Sequence, residues 1–211
     1  MPKTITQIVV QQKRKNRCSI FLDDEYAFGL DQDVVLQYGL KKRDLLTEQQ
    51  IEDILLSEEK KRAKERALNF LAYRDRSEKE MVAKLKEVGY DQPIIDWVMS
   101  ELKRINLIDD EKFARIYSQS KMITHPVGEF MLRRELKHKG IADDQIEQTV
   151  DKVYQEKDQY ALAKELACQR KIRFKNVDEL KAKKRVSDFL LRRGFSWDVV
   201  SEVLEQWEEL G

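Results

Sequence analysis

The chain has 211 residues, 37% charged and 41% apolar, and its 40 Lys and Arg almost cancel its 39 Asp and Glu. That length holds one large domain or several small ones, while 7 Gly and 3 Pro leave little turn material for an all-β sandwich. No apolar run approaches the ~18 residues of a membrane span, and the N-terminus has no charged-then-apolar leader with a small-residue cleavage site. Cys18 and Cys168 form no CxxC or Cys/His pattern, which points to a reducing, cytoplasmic setting rather than a disulfide scaffold.

In chain order, Ile5, Ile8 and Val10 lie in a β-rich run, and Lys13-Arg14-Lys15-Asn16 reads as a basic turn. A second run, Arg17 to Leu22, ends at Asp23-Asp24, and a third spans Glu25 to Leu30. Three short runs split by polar turns predict an antiparallel meander, too small to stand alone and therefore packed on helices. Val34, Val35 and Tyr38 ahead of Gly39 predict the first of these, closed by the glycine. Thr47-Glu-Gln-Gln50 is a capping box opening a short second helix with Ile51, Ile54 and Leu55 on one face. Residues 1–56 thus read as an N-terminal region of their own.

From Ser57 onward the pattern is helical and it repeats. Ala67, Ala114 and Ala161 stand 47 residues apart, and a leucine precedes a glycine by four residues in Leu85/Gly89, Leu136/Gly140 and Leu190/Gly194. Met81, Leu132 and Val186 stand eight before those glycines. Beyond them apolar residues return at +6, +10 and +13: Ile95, Met99, Leu102; Ile146, Val150, Val153; Val200, Leu204, Trp207. Steps of four and three trace one face of an α-helix, and a glycine suits the left-handed residue that closes one. Ser77-Glu-Lys-Glu80 and Asn176-Val-Asp-Glu179 are capping boxes for the middle helices of the first and third copies, and Asp91 and Ser196 are caps for the last helices. In the second copy Ala142 takes that place, so Asp143 or no side chain serves. The helix before His125-Pro126 must stop there. The reading is mainly α: an elongated, curved array of three tandem three-helix repeats, about 57–108, 109–156 and 157–211. A single long core is the alternative.

Catalysis has little to stand on. His125 and His138 lack a Cys/His partner at helical spacing, and no phosphate loop, dinucleotide fingerprint, HExxH or GxSxG occurs. Asp109-Asp110 and Asp143-Asp144 have the carboxylates a Mg²⁺-dependent nuclease needs. Both pairs open predicted helices, where capping is the stronger reading. Neither enzyme activity nor a cofactor or metal is expected.

The charge clusters say more. Residues 169–194 hold ten Lys and Arg (Arg170, Lys171, Arg173, Lys175, Lys181, Lys183, Lys184, Arg185, Arg192 and Arg193) against three acids, a local balance of +7, whereas 196–211 carries five acids and no base. Arg133, Arg134, Lys137 and Lys139 crowd the middle helix of the second unit, and Arg192 and Arg193 take a related place in the third. Basic residues recurring at one position of successive units build a stripe suited to a phosphate backbone or an acidic protein groove. A solvated face with i,i+4 pairing is the alternative; it suits the mixed signs of Glu58–Arg66 better than 169–194. The expected partner-binding residues are Arg133, Arg134, Lys137, Arg170, Lys171, Arg173, Lys183, Lys184, Arg192 and Arg193, with Lys13, Arg14 and Lys15 at the β-turn as a second place. Phe70, Trp97, Tyr117 and Trp207 are expected in the core. Phe174, between Arg173 and Lys175, is a candidate to stack on a base or anchor in a partner pocket.

The run Leu71-x-x-Arg74-x-Arg76-Ser77-x-x-Glu80, the helix with Leu85 and Gly89, and Leu107-Ile-Asp-Asp-x-x-Phe-Ala114 together resemble the RecX family of bacterial recombination regulators. The likeness continues through Gly128, Glu135-Leu136, Gly140-Ile141 and Leu191-x-x-Gly194-Phe195-Ser196, and so covers about 60 to 207. The N-terminal meander is similar to the extra N-terminal region of longer members, some of which carry a further repeat. The resemblance implies a curved helical array, not an enzyme, lying in the groove of a RecA filament on DNA. There it would bridge RecA subunits and modulate, mostly inhibit, ATP hydrolysis, strand exchange and filament extension. It implies a monomer with the RecA nucleoprotein filament as partner, direct contact with single- or double-stranded DNA left open, and no membrane. The matching motif residues are caps, core and turn glycines, so no functional residue is carried over. A stand-alone helical DNA-binding transcriptional regulator, with one helix in the major groove, is the rival reading.

Overall fold

A computed structural model describes residues 1–174 and 176–210; Lys175, from the expected basic segment, and Gly211 lie outside the described residues, as does the side chain of Glu209. Two compact units form: Met1–Arg74 with Val82–Arg104, and Asp75–Met81 with the residues from Ile105 onward.

In the first unit β1 (Lys3–Val10), β2 (Arg17–Leu22) and β3 (Glu25–Asp31) make the expected antiparallel meander. Ile5, Cys18, Ile20, Leu22 and Leu30 form its buried face. A two-residue strand, β4 (Leu45–Leu46), adds at the other edge, giving the order β3-β2-β1-β4; it is too short to show a period of two in the sequence. Helix α1 (Gln32–Gln37) is capped by the Asp31 carboxylate, which accepts from the Asp33 N–H.

Helix α2 (Glu48–Tyr73) opens with the expected reciprocal box between Thr47 and Gln50, but it is 26 residues long, not short. From Leu55 to Tyr73 there is no Gly or Pro, and Glu, Lys, Arg, Ala and Leu dominate, so nothing stops propagation. A buried ionic junction ties the meander to this helix. The Arg17 guanidinium lies 2.6 Å from Glu58 Oε1, out of line for a hydrogen bond, and Glu58 Oε2 accepts from the Asp31 N–H at 2.7 Å. Lys61 reaches both Asp31, at 2.6 Å, and Asp33. Burial opposes the charge on Asp31, yet the Lys61 ammonium, the Asp33 N–H and Arg17 outweigh it and hold the carboxyl below its ordinary range. Helix α4 (Gln92–Arg104) packs on α2, with Lys64 paired to Glu101 at 3.0 Å.

The glycine register organises the rest. Helices α3 (Glu78–Val88), α6 (Glu129–His138) and α9 (Glu179–Arg192) are the middle members of three three-helix repeats. Each ends in the same turn: Gly89, Gly140 and Gly194 have φ of +96, +87 and +86, and the following residue donates to the carbonyl of the repeat's leucine, Leu85, Leu136 or Leu190, at 3.2 Å. This is the Schellman closure, in which a side chain at the glycine would meet the left-handed penalty. Met81, Leu85, Leu132, Leu136, Val186 and Leu190 are all 0% exposed. The first helices of repeats 2 and 3 are α5 (Asp110–Thr124) and α8 (Gln159–Lys171), and the last are α7 (Asp143–Glu156) and α10 (Trp197–Glu205).

Some details differ from expectation. Ala161 is exposed, because α8 begins at Gln159 and turns Ala163, Leu166 and Ala167 inward instead. The cap of α9 is Asp178, not Asn176: the Val177 N–H still donates to the Phe174 carbonyl, so the chain is still turning one residue past Asn176. Ala142 caps α7 without a side-chain bond.

Within the second unit one joint recurs. The start of a repeat's middle helix sits on the closing turn of the next repeat's middle helix. Ser77 Oγ donates to the Lys139 carbonyl at 2.6 Å, one residue before Gly140. Likewise the Gly128 N–H donates to the Arg193 carbonyl at 2.9 Å, and the Phe130 N–H to the Gly194 carbonyl at 3.1 Å.

Candidate partner-binding surface

The thirteen basic residues singled out in the sequence fall into two groups. In the second unit, Arg133 pairs with Glu129 at 2.8 Å and reaches Asp151 at 3.5 Å, Lys137 pairs with Asp143 at 3.1 Å, and Lys183 with Glu179 at 2.7 Å. Lys171 donates to the Trp207 carbonyl at 2.8 Å and lies over that indole. Arg170 lies over Phe174 and Phe189, and Arg193 donates to the Pro126 carbonyl at 3.1 Å. Arg134, Arg173, Lys184 and Arg192, by contrast, are exposed and have no acidic partner among the described residues. Lys13, Arg14 and Lys15 are exposed at the β1–β2 turn of the first unit.

Two recesses flank α6. One, about 380 Å³, is lined by Tyr117, Arg134, Glu135, His138 and Lys139. The other, about 350 Å³, has Lys121, His125, Met131, Glu135, Arg192 and Arg193 in its wall. Glu135 is the one acid in both linings, and it is already engaged: Tyr117 Oη donates to it at 2.7 Å and Lys121 Nζ at 2.7 Å. Burial works against its charge, but these donors and Lys139 hold the carboxyl below its ordinary range. Burial and the Glu135 charge push the Tyr117 phenol up. Lys139 is paired with Glu80 at 2.9 Å and lies 4.5 Å from the Tyr117 ring centre. What remains uncompensated along this face is positive.

Sequence reasoning named Arg134 and Arg192 but missed Lys121, His125 and His138. For His138 the signal was present, four residues beyond Arg134 on one helix. Lys121 and His125 come from α5 and its end, and only folding brings them to α6.

Other expectations meet different surroundings. Trp207 is buried, but Phe70, Trp97 and Tyr117 are half-buried, each with a cation over its ring from Arg66, Lys60 or Lys139; long basic side chains from the same or a neighbouring helix cover what a core would otherwise enclose. Phe174 packs against the core of the third repeat, with Arg170 and Arg185 over its ring, and is not a free stacking platform. Asp109 caps α5 through the Lys112 N–H at 2.9 Å, and Asp110 accepts the Glu78 N–H at 2.8 Å. Both aspartates therefore do the amide-satisfying work read for them. No cluster of three or more metal-ligating side chains forms, and no helix is long and apolar enough to cross a membrane, among the described residues. A recess of about 670 Å³ along α2 in the first unit has its lysines largely engaged, Lys61 by Asp31 and Asp33, and Lys64 by Glu101.

Comparison with known proteins bears on all four segments. Residues 3–47 match the regulatory protein RecX N-terminal domain, and 63–102, 109–150 and 156–204 match the first, second and third three-helix domains of RecX. The chain is similar to regulatory protein RecX of Bacillus velezensis, 38% identical over 97% of this chain and 77% of that protein. It is also similar to that of Clostridium acetobutylicum, 32% identical over 96% and 95%. A crystal structure of a regulatory protein RecX superposes with a TM-score of 0.76 at 32% identity, covering 96% of this chain and 99% of the other. With the meander, the three repeats and their order all matched, the chain belongs to the RecX family of regulatory proteins.

Proposed function

We propose that this RecX protein is a non-enzymatic regulator of RecA, acting in the cytoplasm on the RecA–DNA filament and lowering its ATP hydrolysis and strand exchange. Contact is made through the basic face of repeats 2 and 3. One observation supports this most: Arg134 and Arg192, from successive repeats, stand exposed without acidic partners beside recesses whose single acid is already engaged. A surface of uncompensated charge spread over two repeats suits an extended acidic or phosphate-bearing partner better than a compact ligand. Arg173 and Lys184 are further exposed cations of the third repeat without acidic partners among the described residues, whereas Arg133, Lys137, Lys183, Arg170, Lys171 and Arg193 are engaged within the fold.

The test is a titration into RecA on single-stranded DNA, following ATP hydrolysis. Wild-type protein inhibits; Arg134→Glu with Arg192→Glu relieves inhibition while helicity by circular dichroism stays unchanged. Full inhibition by the doubly reversed variant overturns the assignment of the face. Sequence-specific duplex binding without RecA, seen by gel shift, would favour a stand-alone DNA-binding regulator instead.

A further inference from the structure

Phe130 and Trp197 are 65% and 60% exposed. Single exposed apolar residues are ordinary, but these two stand on either side of one joint. Phe130 is the second residue of α6, and its N–H is tied to the Gly194 carbonyl at 3.1 Å. Trp197 opens α10 only three residues after Gly194, a chain length of at most about 11 Å. Arg134 follows Phe130 by four residues, on the same helix face about 6 Å along the axis. Arg192 precedes Gly194 by two. All four side chains therefore originate within the footprint of a standard protein interface, about 800 Å² per partner.

The joint also holds them in fixed relation. A Cβ on Gly128 would lie 2.3 Å from the Gly194 carbonyl carbon and oxygen, so the start of α6 and the end of α9 meet backbone to backbone. Two aromatic side chains and two arginines without acidic partners among the described residues, on such a rigid mount, have the composition of a protein-binding hot spot, rich in Trp and Arg with a charged surround.

We infer that the joint between repeats 2 and 3 docks the protein component of the filament. Phe130 and Trp197 enter apolar pockets flanked by carboxylates that pair with Arg134 and Arg192. Bare nucleic acid is the less fitting occupant. Its affinity comes from many phosphate contacts, and this patch offers two guanidinium groups without acidic partners among the described residues, in a protein whose formal net charge is +1. The inference rests on the proposed action on RecA and names how the partner is held.

The experiment uses the full chain, with Phe130→Ala and Trp197→Ala made separately. Both positions are exposed, so helicity and denaturation midpoint stay near wild type. Binding is measured to RecA filaments on labelled single-stranded DNA and to the same DNA without RecA. Each substitution weakens filament binding at least about tenfold and leaves binding to bare DNA unchanged, and Phe130→Leu restores most of the loss. Wild-type affinity of both alanine variants for the filament overturns the inference. So does a parallel loss on bare DNA, which would make the patch a base-stacking site. Failure of the wild-type protein to bind filaments sinks the proposed function as well, a result distinct from failure of the variants alone.

Discussion

Two glycines are required for opposite reasons, and their alanine variants separate contact from conformation. Gly128 has φ −79, which alanine adopts freely. Its Cβ, however, would stand 2.3 Å from two atoms of Gly194 and 2.4 Å from the Phe195 nitrogen, all backbone. Ordinary contact needs at least 3.4 Å, so α6 and the α9 turn must part by about 1 Å. That opening strains the two hydrogen bonds across the joint, each worth about 1 kcal/mol net, and adds the overpacking cost of about 1–3 kcal/mol. Gly128→Ala should therefore lose about 3–5 kcal/mol. Gly89 presents the reverse case: nothing lies within 4 Å of its added Cβ, but its φ is +96. Gly89→Ala should lose about 1–2 kcal/mol, the left-handed penalty alone. Urea denaturation followed by circular dichroism measures both, and hydrogen exchange at the Phe130 amide reports whether the joint has opened. Equal losses, or Gly128→Ala within about 0.5 kcal/mol of wild type, would refute the claim that backbone contact fixes the two repeats together.

Further expectations concern the first unit. Glu58→Gln leaves Arg17 without its buried partner and should cost about 3–5 kcal/mol in urea denaturation; a loss below 1 kcal/mol would show that water compensates the guanidinium. The Asp31 carboxyl is held below its unfolded value of about 3.9, so its contribution is complete above that pH and fades as pH falls through the depressed folded value. The protection of β2 and β3 amides against exchange, relative to the unfolded chain at the same pH, should fall in acid below about pH 4, and Lys61→Met should flatten this dependence. An unchanged acid profile in Lys61→Met counts against the ion pair as its source. In the second unit Leu136→Ala, at a site 0% exposed, should cost about 2–5 kcal/mol, measured by denaturation; a smaller loss would indicate that the helices close on the cavity.

What the sequence discloses and what it hides follows from how far apart the interacting residues lie. The closing turns at Gly89, Gly140 and Gly194 were legible because helix periodicity and the left-handed residue leave marks within eight positions of each other. The meander was legible from alternation and turn residues. The length of α2 is not legible at Ser57, where the apolar pattern changes although no residue there breaks a helix. The joint could not be read at all, since Ser77 meets the Lys139 carbonyl 62 positions away. The basic cluster was visible as composition, but which of its members remain free was not. Arg133 and Asp151 are 18 positions apart, and Arg193 and Pro126 are 67. For long flexible cations the partner decides the role, and the partner is chosen by packing.

Helix α6 begins at a glycine with no side-chain cap, yet the Gly128 and Phe130 amides are not orphaned, because the carbonyls of Arg193 and Gly194, in the turn that closes α9, receive them. The third repeat thus completes the backbone hydrogen bonding of the second, and removing it would strip more from the second than surface burial alone predicts. Stability in such a stack is a nearest-neighbour quantity, transmitted here from the C-terminal repeat toward the N-terminal one. Because that link between repeats 2 and 3 is made largely of backbone atoms, it places few demands on side-chain identity beyond the close-packed glycines. Each repeat's outer face is then free to acquire its own charge and aromatic pattern without loosening its neighbours.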